Sequence, residues 1–194
     1  MPTGAFTDVR AGDVHGAMVE CLSWWGIGVG RPDRSYGPVE PVTRAQMATF
    51  LARVVTSAGV TLPADPPNAF DDDAGSVHER SVDQLASLGV VLGKGDRRFS
   101  PAAPVDRAAM ASFLVRTVTL VTGESPARTG DVFVDDDRST HEDAIDRAAS
   151  LGLVLGTGQG RYAPLADVRR DQMASFLMRM ADVFVESGHA APPA

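Results

Sequence analysis

VTRAQMATFLAR, residues 42–53, is the stretch whose reading decides the fold. It returns as VDRAAMASFLVR at 105–116 and as VRRDQMASFLMR at 168–179, each copy 63 residues after the last. Recurrence at a fixed spacing marks a chain built from repeated structural units. The same spacing joins His15, His78 and His141, then Gly26, Gly89 and Gly152, then Gly30, Gly93 and Gly156. It also joins the aromatic-x-Pro signatures at 36–38, 99–101 and 162–164. An F-x-D triplet opens each unit, at 6–8, 70–72 and 133–135.

Working outward, the repeats occupy residues 1–57, 70–121 and 133–184. Segments 58–69 and 122–132, rich in Gly, Pro and small polar residues, read as linkers, and 185–194 as a tail. Each repeat reads as helix, loop, helix. The first helix is expected near 14–25, 77–88 and 140–151, with an apolar stripe such as Val19, Leu22 and Trp25. Gly26, Gly89 and Gly152 then supply left-handed caps. The second helix starts near Arg44, Arg107 and Arg170 and is apolar around most of its circumference. Such a helix must be covered on more than one side. One cover is expected to be the first helix of its own repeat; the others are the equivalent helices of the other repeats. The fold class is therefore mainly α: a pseudo-threefold trimer of helix-loop-helix repeats around a central three-helix bundle, all three forming one compact unit. Alanine at 48, 111 and 174 allows close approach of the central helices.

Charge and composition narrow the function. The 194 residues carry a formal charge of −7, which argues against a nucleic-acid partner. Lys94 is the only lysine among the cations, and arginine is the better fork for carboxylate or phosphate. Cys21 is alone, so no intrachain disulfide forms. No apolar run is long enough to span a membrane. The opening Met-Pro-Thr-Gly-Ala-Phe has no charged n-region or apolar h-region; if the protein is exported, its signal has been removed or lies upstream.

The arginines that start the second helices stand where a helix already carries partial positive charge, an unfavourable placement made three times. One reading is an anion socket, built from free helix N–H groups and the arginine fork. The other is structural: each arginine pairs with Asp8, Asp72 or Asp135 and ties lobe to bundle. Thr43 with Gln46 fits a capping box, and Asp106 an N-cap; Arg169 occupies the third cap position, with Asp167 as a substitute. Gln46 and Gln172 cap or touch ligand. The acidic runs 71–73 and 135–137 lack the regular calcium-loop spacing, so solvated-turn and capping roles are expected and no metal or cofactor. His15, His78 and His141 are expected to pack or hydrogen-bond. No catalytic motif is present, and no enzymatic role is expected.

The order F-x-D, helix, Gly-Ile or Gly-Val, glycine loop, aromatic-x-Pro and Val-Thr-Arg-Ala-Gln resembles the S-layer homology repeat, in the versions found in high-GC Gram-positive bacteria. The resemblance covers nearly the whole chain. It implies a non-covalent anchor at the cell surface, outside the cell, for a fused or associated surface protein. The implied ligand is a secondary cell-wall polysaccharide, often carrying pyruvate ketals, bound in grooves between lobes. There the arginine of a Thr-Arg-Ala-Glu motif meets the acidic group. The motif matches residues 43–46 best, is partial at 106–109 and weakest at 169–172, so the Arg44 groove is favoured. Candidate ligand-binding residues are Arg44, Arg107 and Arg170, with Thr43, Gln46 and Gln172. Gly30, Gly93 and Gly156 of the loops and Asp8, Asp72 and Asp135 of the triplets join them. Competing readings are an assembly module whose grooves bind another protein, and an accessory domain of an enzyme.

Overall fold

The long helices begin where the sequence places them. In the computed structural model they are α2, Arg44–Ser57, α4, Arg107–Thr122, and α6, Arg170–Glu186. The short helices, nine residues each, are α1, Gly16–Trp24, α3, Glu79–Ser87, and α5, Glu142–Ser150. The structure describes residues 4–10 and 12–193; the Met-Pro-Thr start of the opening segment and the last residue of the tail lie outside them. Caps explain the sharp starts. Thr43 Oγ1 accepts the Gln46 N–H at 3.3 Å while Gln46 Oε1 accepts the Thr43 N–H at 3.1 Å. Asp106 Oδ1 accepts the Ala109 N–H at 2.7 Å. In the third repeat Gln172 accepts the Arg169 N–H, and Asp171, rather than Asp167, accepts the Gln172 N–H at 2.7 Å. The short helices end in left-handed Gly26, Gly89 and Gly152.

The three long helices form the centre, where Met47, Ala48, Met110, Ala111, Met173 and Ala174 are fully buried. A closed cycle of backbone hydrogen bonds encircles the pseudo-threefold axis just before these helices begin. The Val42 N–H donates to Val168 O at 2.9 Å, Val168 to Val105 O at 2.8 Å, and Val105 to Val42 O at 2.9 Å.

The short helices correct one expectation. Each packs on the long helix of the preceding repeat, not its own: α3 on α2, α5 on α4, and α1 on α6. The linkers explain the first two, because consecutive elements joined by a short connection pack together. The linkers are themselves pinned: Pro63 O accepts from Gln84 Nε2 at 2.8 Å and Pro126 O from Arg147 Nη1 at 2.6 Å. The third pairing closes the ring between the two ends of the chain. A histidine marks each junction. His15, His78 and His141 place Nδ1 within 2.7–2.8 Å of Ser175, Thr49 and Ser112 on the long helices. The hydrogen-bonding role read for these histidines is thus what the fold uses.

Between its two helices each repeat sends a glycine loop across to its neighbour. Phe6, Phe70 and Phe133 lie against Gly30, Gly93 and Gly156, leaving no space for a side chain. A β-carbon on Gly93 would sit 2.7 Å from Phe70 Cε1 and 2.8 Å from Arg98 O. Gly93→Ala should therefore cost about 1–3 kcal/mol, a typical overpacking penalty. Urea unfolding of the variant checks this; an unchanged midpoint would mean that the loop yields freely.

Candidate functional site

The backbone around each helix start settles how its arginine sits. The Arg44 N–H donates to Ala103 O at 2.9 Å and the Ala45 N–H to Pro101 O at 3.1 Å. The equivalent donors of α4 reach Ala166 O and Pro164 O, and those of α6 reach Glu40 O and Pro38 O. The first helical N–H groups are thus consumed by carbonyls of the next repeat. This corrects the expectation of free helix N-termini serving as anion sockets. It also removes the apparent penalty of a cation at that position, because carbonyl oxygens converge there.

The arginine side chains follow the backbone into the next repeat. Arg44 donates Nε–H to Phe99 O at 2.7 Å and Nη2–H to Leu92 O at 2.9 Å. Arg107 does the same to Tyr162 O and Leu155 O, at 2.7 and 2.8 Å. Arg170 donates Nε–H to Tyr36 O at 2.7 Å. Each guanidinium is sandwiched between two rings. Arg44 lies 4.5 Å from the Phe99 centroid and 5.6 Å from that of Phe113. Arg107 lies between Tyr162 and Phe176, and Arg170 between Tyr36 and Phe50. The sequence marks Phe50, Phe113 and Phe176 as apolar positions, but periodicity does not distinguish a packing ring from a ring beneath a cation.

No carboxylate pairs with these three arginines among the described residues. The alternative expectation, a strut to Asp8, Asp72 or Asp135, is therefore corrected as well. Those carboxylates clamp the loops instead. Asp8 accepts the Tyr36 and Gly37 N–H groups, Asp72 those of Phe99 and Ser100, and Asp135 those of Tyr162 and Ala163, at 2.7–3.0 Å. Burial alone would raise Asp8 and Asp135, but the two N–H bonds and a nearby arginine hold them below the ordinary carboxylate value. The Phe99 N–H does the same for Asp72. Burial pulls Arg44, Arg107 and Arg170 down from the usual guanidinium value, yet a guanidinium stays charged. Three cations are thus held on dipoles and rings without counter-ions.

The surroundings of the three differ. A cavity of about 360 Å³ opens beside Arg44, lined by Leu92, Gly93, Lys94, Phe113, Arg116 and His141 among others. No side-chain hydrogen bond to protein occupies Arg116 or Lys94 among the described residues, and burial holds the His141 imidazole below its ordinary value. At the Arg107 position Thr157 replaces Lys94, and Arg179 reaches Leu153 O at 3.4 Å. At the Arg170 position Arg31 pairs with Glu40, and Arg53 donates to Ile27 O at 2.9 Å. The Arg44 groove thus gathers three cations that form no ion pair among the described residues, with the Asp106 carboxylate that caps α4 also in its lining. Sequence reasoning missed Lys94 and Arg116 as site residues. Arg116 stood in the quoted repeat, and Lys94 is the sole lysine, but neither fact alone assigns a place. Gly93 lines this groove, whereas Gly30 and Gly156 serve packing; Thr43, Gln46 and Gln172 cap. A larger hollow of about 650 Å³ near Asp8, His15 and Pro38 contains the self-neutralising pair Arg169–Asp171, 2.7 Å apart.

The S-layer homology domain model matches residues 26–48, 70–111 and 134–174. The chain belongs to the S-layer homology family. Within this family it is 31% identical over 180 residues to S-layer protein EA1 of Bacillus anthracis, covering 89% of this chain and 20% of that protein. An uncharacterized cell wall amidase of Bacillus anthracis is 28% identical, covering 79% of this chain and 29% of that protein. An endoglucanase of a Bacillus species is 24% identical, covering 89% of this chain and 18% of that protein. The chain spans about a fifth of the length of the first of these relatives. All three come from Bacillus, and they lend no support to a high-GC Gram-positive type.

The acidic runs titrate in two directions. Asp73 and Asp136 are buried rather than solvated, which corrects the expectation for them. Burial, with Asp83 or Asp146 nearby, pushes both up to about 6. A carboxyl raised in the folded state takes up a proton that the unfolded chain releases, so stability grows as pH falls from above 6 toward 4. The depressed Asp8, Asp72 and Asp135 contribute stability above their ordinary 3.8 and lose it as pH falls further. In chelator-containing buffer the Tm should peak at about pH 4–5. Asp73→Asn and Asp136→Asn should flatten the limb between pH 7 and 5. A Tm that falls steadily from pH 7 to 4 would refute this.

Proposed function

We propose that the chain is a non-covalent cell-surface anchoring module that binds an acidic secondary cell-wall polysaccharide between its repeats, outside the cell. The observation that carries this is the Arg44 groove, where a buried guanidinium with no carboxylate in ion-pair contact stands beside Lys94 and Arg116. An acidic sugar substituent, such as a pyruvate ketal, supplies the missing counter-charge. A forked donor suits a carboxylate, and the exposed Leu92 offers an apolar edge for a sugar face. The relatives support attachment over catalysis. A segment shared by an S-layer protein, a cell wall amidase and an endoglucanase, covering a minor part of each, fits a common attachment module better than any one activity. On this reading the partners are the wall polymer and a fused or associated surface protein.

Arg44 also holds the fold, so the test falls on its neighbours. Arg116→Ala and Lys94→Ala should leave the Tm unchanged. Each should weaken co-sedimentation with purified sacculi about tenfold or more, the usual loss for a charge-assisted hydrogen bond. Chemical stripping of the non-peptidoglycan polymer should abolish sedimentation of the wild type. Retention on stripped sacculi, or wild-type binding by both variants, would turn the reading toward an assembly module that binds protein.

A further inference from the structure

In the third repeat the chain buries a carboxylate that has no partner. Asp136 has 0% exposure, and neither of its oxygens meets a hydrogen-bond donor. Its carboxylate faces those of Asp131 and Asp137, with one oxygen from each of the three lying within 4.8 Å of the others. Asp146 is equally buried: Oδ1 takes the Val132 N–H at 2.9 Å, and Oδ2 lies 2.6 Å from Arg128 Nη2. Arg128 also contacts Glu142 at 2.9 Å. Among the described residues Arg128 is the one cation paired with any of these five acids, and it is engaged by the two farther along the chain.

We propose that Asp131, Asp136 and Asp137 bind one divalent cation of the calcium class. The donor set is all oxygen, which suits a hard ion and not zinc. Ligands about 2.4 Å from a common ion stand no more than about 4.8 Å from one another, and the three oxygens of this cluster lie within 4.8 Å of one another. The chain carries its own comparison. In the first repeat Val9 follows the F-x-D triplet, and the helix acid Glu20 is satisfied by the Gly4 and Ala5 N–H groups. The second repeat has a buried Asp73 with both oxygens unpartnered. However, Asn68 and Ala74 stand where the third has Asp131 and Asp137. That repeat therefore lacks the converging acids, and its carboxylate is left to protonation. Only the third repeat supplies three. The irregular spacing explains why no calcium-loop pattern is visible in the sequence: the first ligand precedes the F-x-D triplet and the other two follow its last residue.

Equilibrium dialysis of the chelator-stripped, full-length chain against radioactive calcium at pH 7.5 tests this. The expected result is one Ca²⁺ per chain with a Kd of about 10⁻⁴–10⁻³ M, the range of extracellular modules. At 10 mM Ca²⁺ the Tm should rise by about 3–8 °C. Asp136→Asn should abolish both effects, and so should Asp137→Ala and Asp131→Asn, which alter exposed side chains and leave the core intact. Asp73→Asn should retain both. Absence of bound Ca²⁺ at 10 mM would overturn the proposal. So would stoichiometric binding that survives the changes at 131, 136 and 137. Neither result bears on the Arg44 groove.

Discussion

A guanidinium held on the carbonyl oxygens of the next repeat is the contact on which this architecture depends. It draws the start of one helix, the loop of a second repeat and a phenylalanine of that repeat's long helix into one place. Repeated three times, it closes a ring in which every repeat is completed by its neighbour. A hydrogen bond to a charged donor is worth about 1.5–3 kcal/mol, and the ring face adds to it. Carbonyls and rings orient and solvate the charge but do not cancel it. The same contact that builds the trimer therefore leaves a cation facing the cleft beside Arg44, and the fold's solution to packing is also its source of chemistry there.

Much of this was legible in the sequence because repetition reports it directly. The spacing of 63 fixed the number of units, and Thr43 with Gln46 fixed a helix start to the residue. Helix-period apolar residues identified the buried faces of α2, α4 and α6. What periodicity reports, however, is that a face is covered, not what covers it. The pairing of α1 with α6, α3 with α2 and α5 with α4 needed the length of the linkers and the reach of the loops. The arginine was singled out for the right reason, its conflict with the helix dipole. The answer lay in carbonyls from a neighbouring repeat, and no local pattern announces a backbone acceptor. Asp8, Asp72 and Asp135 illustrate the same limit. A carboxylate in a triplet is equally a ligand, a strut or a clamp until the loop that it caps is seen.

Symmetry offers a sharper guide than motif quality. Positions identical in all three repeats, such as the triplet phenylalanines and the loop glycines against them, are accounted for by packing. Positions that differ are free of that duty. Lys94 stands opposite Arg31 and Thr157, and the buried acids Asp73 and Asp136 opposite Val9. The scaffold tolerates each alternative, so the reason for three converging acids or an unpaired cation at one repeat must be sought in what that repeat meets. A buried carboxylate without a partner is costly. Its retention at a position where the first repeat keeps a valine is not a requirement of the fold.

The net charge of −7 belongs in the same account. An acidic protein meeting an acidic polymer gains nothing from long-range attraction, and at physiological salt fields fade within about 8 Å. Attraction must then begin at contact, inside a cleft where the local balance is reversed. The Arg44 groove supplies that reversal with three cations against the one carboxylate of Asp106. Its walls are low-dielectric, because Phe99 and Phe113 line the arginine on both sides, and an interaction there is screened far less than one on the open surface. Repulsion outside and attraction inside select for a ligand that fits the cleft over any polyanion that merely approaches it. On this argument specificity resides in the contrast between the acidic exterior and the basic groove, and a chain with a basic exterior would bind more polymer with less discrimination.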